Sequence, residues 1–360
     1  MKIITIVASL AHGDAVSNDA LAIHEMLSKQ GFETVLAAER LYYHPDGVQV
    51  RDTGDLSFVR TKDIVIYHLS TGTTLNYLIP EKKRETEFTL ILRYHNITPP
   101  MFFKGYSKEK MAGTLEGLRG AKYLAAYADG CICDSEYNKN DLIHMGYQCP
   151  MDVVPILMDF HDFKAKEDVK TYRELKKDSD CINILFTGRI VPNKRQEEVM
   201  QAFYYYNKYY HANSKLYFVG GYVGNEKYYG ELLDYQKRLG MDDIFFAGHI
   251  GFRQMLAYYK AADIFLCMSD HEGFCVPILE AMSFGIPVLA KDAGAVGETM
   301  GDAGLLLDGD PKLMAAAIHR VVSDEELRAE LQKKMACRME YFAKENVAQM
   351  FMEKIKNYIK

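Results

Sequence analysis

The sequence contains no apolar run long enough to cross a bilayer, because its longest apolar stretches have the length of single β-strands. It also lacks an excess of basic residues: 43 Lys and Arg stand against 49 Asp and Glu, for a formal net charge of −6. Such a chain cannot displace many counterions, so bulk nucleic-acid binding is not expected. The start, MKIITIVASLAHGD, has no basic region or small-residue cleavage site of a signal peptide, and a cytoplasmic protein is expected.

Metal and dinucleotide patterns are missing too. The seven cysteines form no paired metal-binding pattern, and Cys131 and Cys133 flank Ile132 in a predicted strand, which indicates free thiols in a core. No D-x-D pair follows a strand, since Asp242-Asp243 precede one, so no bound metal is expected. The first strand is followed by a single glycine, Gly13, and not by G-x-G-x-x-G.

Strand-like apolar runs alternate with segments of helical period along the whole chain. The first half reads KIITIVAS, ETVLAA, DIVIYHL, FTLILRYHN, GCICDS and MDVVPI; the second reads INILFTGRI, KLYFVGG, DIFFAGH, DIFLCMS and IPVLAKD. A polar stretch near residues 158–178 is predicted to be a linker. The pattern predicts an α/β protein with two Rossmann-like parallel-sheet domains, residues 1–165 and 170–338, facing a cleft at their carboxyl edges.

The segment SDHEGFCVPILEAM follows the predicted strand DIFLCM. Gly273 permits a tight turn, and Pro277 suits the first position of a helix. The amides at that helix start would form an anion and hydroxyl site, flanked by Glu272 and Glu280. An ordinary strand–turn–helix junction, with Glu280 favoured only by the helix dipole, is the alternative.

A second segment, FTGRIVPNK, leaves the first strand of the second half. Gly188 allows close backbone approach, and Arg189 and Lys194 supply two cations that can neutralise a diphosphate without a metal. A solvated charged loop is the competing interpretation.

Together, Gly188-Arg189…Lys194 and Glu272…Glu280 resemble the G-R-x4-K and E-x7-E motifs of the retaining GT-B glycosyltransferases of family 4 (glycosyl transferases group 1). The resemblance implies transfer of a hexose-type sugar from a nucleotide diphosphate sugar to a saccharide or lipid-linked acceptor, with no further cofactor. It also implies that the C-terminal helix, residues 339–360, crosses back to the first domain.

The resemblance assigns roles to individual residues. Arg189 and Lys194 would bind the diphosphate and Glu280 the ribose. The donor sugar would be held by Glu272 and by the segment after it, Gly273, Phe274, Cys275 and Val276. The base would lie against His249 and Ile250.

In the first half, the resemblance places Gly13 at the phosphates and the acceptor, and His95, at a strand end, beside the donor sugar. A strand-end histidine satisfied by backbone groups is the alternative for His95, and His68 is a weaker candidate. Residue Ser17 or Asn18 is predicted to cap the first helix. The segment 104–122 is expected to be a solvated face, with weak membrane contact as the alternative.

Three other functions stay open at this point. A nicotinamide-dependent oxidoreductase would use Glu39, after the second strand, on a ribose. A GT-B nucleotide-sugar epimerase would release nucleotide without net transfer. A non-catalytic subunit would keep Arg189 and Lys194 and bind nucleotide sugars without turnover. The sugar, the base, the acceptor and the oligomeric state are not encoded in these motifs.

Overall fold

The computed structural model describes residues 1–359, and the chain divides into two compact units. The first comprises Met1–Met101, Glu109–Asp159 and the chain from Phe342 onward. The second comprises Phe102–Lys108 and Phe160–Tyr341. Within the described residues, no helix is both long and apolar enough to cross a membrane.

The strands are β1 Ile3–Leu10, β2 Thr34–Leu41, β3 Val50–Asp52, β4 Ile64–Leu69, β5 Thr89–Tyr94, β6 Gly130–Cys133, β7 Met151–Val153, β8 Ile182–Thr187, β9 Ser214–Val219, β10 Ile244–Gly248, β11 Ile264–Cys267, β12 Val288–Lys291 and β13 Leu305–Leu307. The α-helices are α1 Ala15–Lys29, α2 Leu75–Glu85, α3 Lys108–Leu124, α4 Glu136–His144, α5 Val169–Leu175, α6 Gln196–Tyr209, α7 Glu226–Leu239, α8 Phe252–Ala261, α9 Val276–Ser283, α10 Val296–Met300, α11 Pro311–Ser323, α12 Glu325–Tyr341 and α13 Lys344–Ile355.

Both sheets are parallel, and both reverse their strand order once. The first runs β3-β2-β1-β4-β5-β6-β7 and the second β10-β9-β8-β11-β12-β13. Every residue of β4 is buried, as expected where helices cover both faces of a parallel sheet. The loops after β1 and β4 diverge in the first unit, and those after β8 and β11 diverge in the second. Such a switch point opens a crevice at the carboxyl edge.

Some of the helices begin at a side-chain cap. Asp14, and not Ser17 or Asn18, caps α1: its carboxylate accepts from the Ser17 amide at 3.0 Å, so the predicted cap was wrong. The Ser17 hydroxyl instead donates to the same carboxylate at 2.8 Å. Asp168 caps α5 in the same way, which makes part of the predicted linker a helix.

The last helix packs on the first unit. Val347, Phe351 and Ile355 recur every four residues and lie in the same buried cluster as Ile3 and Leu27. The chain joins this unit from Phe342, because α12 remains with the second unit up to Tyr341. Lys360, the last residue of the predicted tail, lies outside the described residues.

Residues 102–108 belong to the second unit although they were predicted within 1–165. The ring of Tyr106 lies 5.3 Å from that of Tyr228, edge to face. The Lys227 ammonium also donates to the Gly105 carbonyl at 2.6 Å. These contacts with the start of α7 explain why the segment leaves the first unit.

Candidate donor-sugar site and the buried histidine cluster

The two predicted motif loops lie side by side at the switch point of the second sheet. The loop after β8 carries Arg189 and Lys194, and the loop after β11 carries Glu272. They are joined by the backbone, where the Asp270 amide donates to the Asn193 carbonyl at 2.8 Å. The Asn193 side chain also donates to the His271 carbonyl at 3.1 Å. The structure therefore brings both motifs into one place.

The β8 loop comes very close to its neighbour. Gly188 has φ +136°, and a Cβ added at Gly220 would stand 2.0 Å from the Gly188 carbonyl oxygen, so only glycine fits there. Arg189 is exposed, and no hydrogen-bond or ion-pair partner is found for its guanidinium among residues 1–359. It is a cation available to a ligand.

Lys194 and Glu272 form an ion pair, with the ammonium nitrogen 2.5 Å from a carboxylate oxygen. Their side chains are only 17% and 9% exposed. Burial alone would lower the pKa of Lys194, but the Glu272 carboxylate raises it above its usual value. The Lys194 ammonium is therefore favoured, and the ion pair links the two loops.

Helix α9 begins directly after Cys275, whose φ of +73° is left-handed. Pro277 is the second helical residue, and not the first as predicted. A helix start is a favourable place for a hydroxyl or an anion, because its first amides have no acceptor within the helix. The backbone of Phe274 is fixed by a hydrogen bond from the Thr299 hydroxyl to its carbonyl.

The Glu280 side chain is positioned by a hydrogen bond from Tyr259. The Tyr259 hydroxyl lies 2.5 Å from the Glu280 carboxylate and 2.5 Å from the hydroxyl of Thr187, the last residue of β8. Burial raises the pKa of Glu280, while the hydrogen bond from Tyr259 acts in the opposite direction. These two hydrogen bonds link Thr187 to Glu280 through Tyr259, and they hold the Glu280 carboxylate near the end of β8.

The segment predicted to contact the base follows β10. His249 is exposed and Ile250 half-buried. The Gly220 amide donates to the Gly248 carbonyl at 3.0 Å, and the Ile190 amide donates to the Gly221 carbonyl at 2.9 Å. This segment is therefore one strand away from Arg189 along the same carboxyl edge.

Two contributors to the site were not predicted. Gly294, after β12, has φ +58°, and a Cβ there would stand 2.4 Å from the Glu272 carbonyl oxygen. The next residue, Ala295, donates its amide to that same carbonyl at 2.9 Å. Tyr259 is the other contributor. A loop glycine and a helical tyrosine carry no distinguishing pattern, so the sequence offered no signal for either.

In the first unit, Gly13 is exposed with φ +74°, at the turn between β1 and α1. His95 follows β5, and both of its ring nitrogens already have partners. Nδ1 lies 2.8 Å from the Asp134 carboxylate and Nε2 lies 2.9 Å from Nδ1 of His68. Its side chain is 2% exposed.

The histidines belong to a buried charged cluster around Arg93, which is fully buried. The Arg93 guanidinium lies 2.9 Å from the Asp19 carboxylate and 3.0 Å from that of Asp134, and it donates to the Val154 and Pro155 carbonyls. Asp19, His68 and His95 bring three ligand atoms within 4.8 Å of one another. A divalent cation there would bring the positive charge to +3 with Arg93, against −2 from the carboxylates of Asp19 and Asp134, so the cluster does not fit a metal.

His68 is buried, and its Nε2 has no hydrogen-bond partner among the described residues. Burial lowers the pKa of His68 well below its usual value; His95 and Arg93 add to the effect and Asp19 opposes it. Glu39, the residue for the oxidoreductase alternative, accepts from the hydroxyls of Thr73 and Thr74.

Solved structures share this architecture. The structure of Anabaena Alr3699/HepE in complex with UDP and glucose has a TM-score of 0.76 at 19% identity, covering 99% of this chain and 100% of that one. The structure of sucrose-phosphate synthase from Thermosynechococcus elongatus has a TM-score of 0.76 at 18% identity, covering 100% of this chain and 99% of that one. Two Rossmann-like parallel-sheet units of this kind define the GT-B fold, and the chain has this fold.

Residues 169–336 match the family model described as glycosyl transferases group 1. That range contains both motif loops and lies within the second unit. Among curated relatives, the lipopolysaccharide 1,2-N-acetylglucosaminetransferase of Salmonella typhimurium is 30% identical over 58% of this chain and 57% of its own length. The D-inositol 3-phosphate glycosyltransferase of Acidothermus cellulolyticus is 29% identical over 59% of this chain and 49% of its own length. The matches thus span about half the length of these relatives.

Gly294→Ala tests the backbone contact under Glu272. Both Gly294 and Gly285 have positive φ, but a Cβ at Gly285 meets nothing within 4 Å. Each substitution should cost about 1–2 kcal/mol for the left-handed conformation. We expect Gly294→Ala to lose about 1–3 kcal/mol more of unfolding free energy, because its Cβ displaces backbone. Urea unfolding of both variants measures the difference, and equal losses would contradict the contact.

His68→Gln tests the neutral buried histidine. The folded protein keeps His68 unprotonated, whereas an unfolded histidine binds a proton below its usual pKa of 6.5. The free energy of unfolding should therefore fall as pH falls, with His68 accounting for about 2 kcal/mol between pH 7 and 5. In His68→Gln that part disappears, although His24, whose pKa burial also lowers, keeps its share.

The measurement is urea unfolding at several pH values, with His44→Gln as the control. His44 is an exposed histidine of the same unit. A pH dependence that is unchanged in His68→Gln, or equally reduced in His44→Gln, would show that His68 is not the group responsible.

Proposed function

We propose that this chain is a retaining glycosyltransferase. It moves a hexose-type sugar from a nucleotide diphosphate sugar to a saccharide or lipid-linked acceptor without a bound metal, in the synthesis of surface polysaccharide or another glycoconjugate. The observation that carries the proposal is the exposed residue Arg189, which lies on the same loop after β8 as Lys194 of the Lys194–Glu272 pair, at the switch point of the second sheet. A diphosphate requires such fixed positive charge when no metal supplies it.

The diphosphate is assigned to Arg189 and Lys194. When the glycosidic bond breaks, its electron pair moves to the phosphate oxygen, and negative charge builds there. Fixed cations stabilise that charge more in the transition state than in the bound donor, so they increase turnover. Gly188 leaves room for the phosphates to approach the backbone.

The sugar, the ribose and the base are assigned to the remaining groups of the second unit. Glu272 and the amides of residues 273–276 bind hydroxyls of the donor sugar. Glu280, fixed by Tyr259, accepts hydrogen bonds from the ribose hydroxyls. His249 and Ile250, one strand from Arg189, lie against the base.

From the first unit, Gly13 serves the phosphates and the acceptor, and His95 serves the reacting sugar. Because both imidazole nitrogens of His95 are already bonded within that unit, its backbone carbonyl is the group assigned to the positive charge on the anomeric carbon. The acceptor hydroxyl forms its new bond on the face that the phosphate leaves, and its proton passes to the departing phosphate oxygen. No protein nucleophile is needed.

The comparisons support the class of reaction. The family model covers the donor-binding half, and the Salmonella relative is named as an N-acetylglucosaminetransferase of lipopolysaccharide. The Anabaena structure of the same fold is described with UDP and glucose, which makes UDP sugars the first donors to screen, followed by GDP sugars.

Arg189→Ala should lower turnover about a hundredfold or more, on the scale of one removed oxyanion donor. The substitution should leave the folded structure undisturbed, because no side-chain partner of Arg189 within residues 1–359 loses its hydrogen bond or ion pair. Lys194→Ala should lower turnover similarly, but it also leaves Glu272 without its partner, so unfolding must be measured alongside. Steady-state kinetics with the best donor found gives the comparison.

The control is Arg238→Ala. Arg238 is an exposed arginine in the last turn of α7, and this helix leads to the amino edge of the second sheet. It removes the same charge from the same unit. Near-normal turnover in Arg189→Ala, or an equal loss in Arg238→Ala, would refute the diphosphate role.

The anomeric configuration of the product tests the mechanism. Proton NMR early in the reaction should show the same configuration as the donor, and turnover should continue with excess chelator. An inverted product would overturn the mechanism. Activity lost with chelator and restored by magnesium or manganese would overturn the assignment of the diphosphate to Arg189 and Lys194.

Two further results would replace the proposal. Nucleotide released from the donor, with an epimerised sugar and no glycoside, would indicate the epimerase. Tight nucleotide-sugar binding with no turnover for any acceptor would indicate the binding subunit.

A further inference from the structure

Two buried thiols lie beside the Lys194–Glu272 pair. Cys267 ends β11 and Cys275 precedes α9, and they are 2% and 6% exposed. Their sulfur atoms are 4.0 Å apart. One oxygen of Glu272 completes a group whose three ligand atoms all lie within 4.8 Å of one another. We call Cys267, Glu272 and Cys275 the thiol–carboxylate cluster.

The sulfur separation suits a shared metal ion. In a tetrahedral zinc site with Zn–S bonds of about 2.3 Å, two sulfurs stand about 3.8 Å apart. In a disulfide they stand about 2.05 Å apart. The 4.0 Å between Cys267 and Cys275 is close to the first value and far from the second.

The charges also balance. Two thiolates and one carboxylate carry −3, and a divalent cation with the Lys194 ammonium carries +3, so the loaded cluster is neutral. Neutrality matters because an uncompensated charge in a buried site is costly. The Ser269 hydroxyl, 3.4 Å from the Cys267 sulfur, or a water is available as a fourth ligand.

We propose that the thiol–carboxylate cluster is a binding site for a thiophilic divalent cation, Zn²⁺ or Cd²⁺. Each thiol releases its proton to solvent as its sulfur–metal bond forms. The metal takes the Glu272 carboxylate as its third ligand. Because Glu272 then no longer reaches the donor sugar, the metal inhibits transfer. This last step rests on the proposed function, whereas metal binding does not.

The chain contains a matched thiol pair for comparison. Cys131 and Cys149 in the first unit bring their sulfurs to 3.6 Å. Among the described residues, no third His, Cys, Asp or Glu ligand groups with that pair. Two ligands without a carboxylate should hold a metal much more weakly than the thiol–carboxylate cluster does.

The test uses the full-length protein, reduced and stripped of metal, titrated with Cd²⁺. Thiolate-to-cadmium absorbance and the bound metal per chain are measured in the wild type, Cys267→Ser and Cys149→Ser. We expect one tightly bound equivalent in the wild type and in Cys149→Ser, and its loss in Cys267→Ser. Glu272→Gln should retain the absorbance with weakened affinity, because the two thiolates remain.

Undiminished tight binding in Cys267→Ser, or its loss in Cys149→Ser, would overturn the site. So would a Cys267–Cys275 disulfide on oxidation in a protein that binds no Cd²⁺ when reduced. Circular dichroism confirms that each variant is folded.

Inhibition is read separately, as the fall in turnover with Zn²⁺ and its recovery with chelator. Wild type and Cys149→Ser should be inhibited, and Cys267→Ser should be less sensitive. Zn²⁺ bound in the cluster with unchanged turnover would overturn the inhibition. Cd²⁺ binding without any transferase activity would instead refute the proposed function and leave the metal site standing.

Discussion

The site in the second unit depends on the ion pair between Lys194 and Glu272. Each charge is largely buried, so either one alone would carry a desolvation cost with nothing to compensate it. The pair joins the loop after β8 to the loop after β11 at the point where the strand order reverses. Any ligand between these loops meets charges that are already paired and oriented, with little reorganisation left to make.

The rest of the second unit supports the site of that pair through backbone and side-chain contacts. Gly294 approaches the Glu272 carbonyl, Asn193 reaches His271, and Tyr259 connects Glu280 with the end of β8. Arg189 extends from this framework, and no hydrogen-bond or ion-pair partner of its guanidinium is found among the described residues. The unit therefore combines two carboxylates held by their neighbours, Glu272 and Glu280, with the exposed cation Arg189. This arrangement suits a ligand with sugar hydroxyls at one end and phosphate at the other.

Much of the fold could be predicted from sequence because the central strands are continuous apolar runs. Elements that were not predicted include β3, β13 and α5, which have three, three and seven residues. At that length neither periodicity nor propensity is distinguishable from loop, and packing decides. The cap of α1 was misplaced because Asp14, Ser17 and Asn18 are all capping residues, and only the geometry shows which carboxylate the Ser17 amide reaches.

The two motif loops were predictable because each follows a strand, and the carboxyl ends of parallel strands share one edge. His95 shows where this reasoning ends. The place of His95 after β5 was predicted, but its partners were not. Asp134 follows β6 and His68 lies in β4. Arg93 and Asp19 complete the cluster. Those pairings depend on the register of the sheet, which the sequence pattern leaves undetermined. With both nitrogens bonded, the imidazole fixes the end of β5, and what it offers a substrate is the backbone that it holds in place.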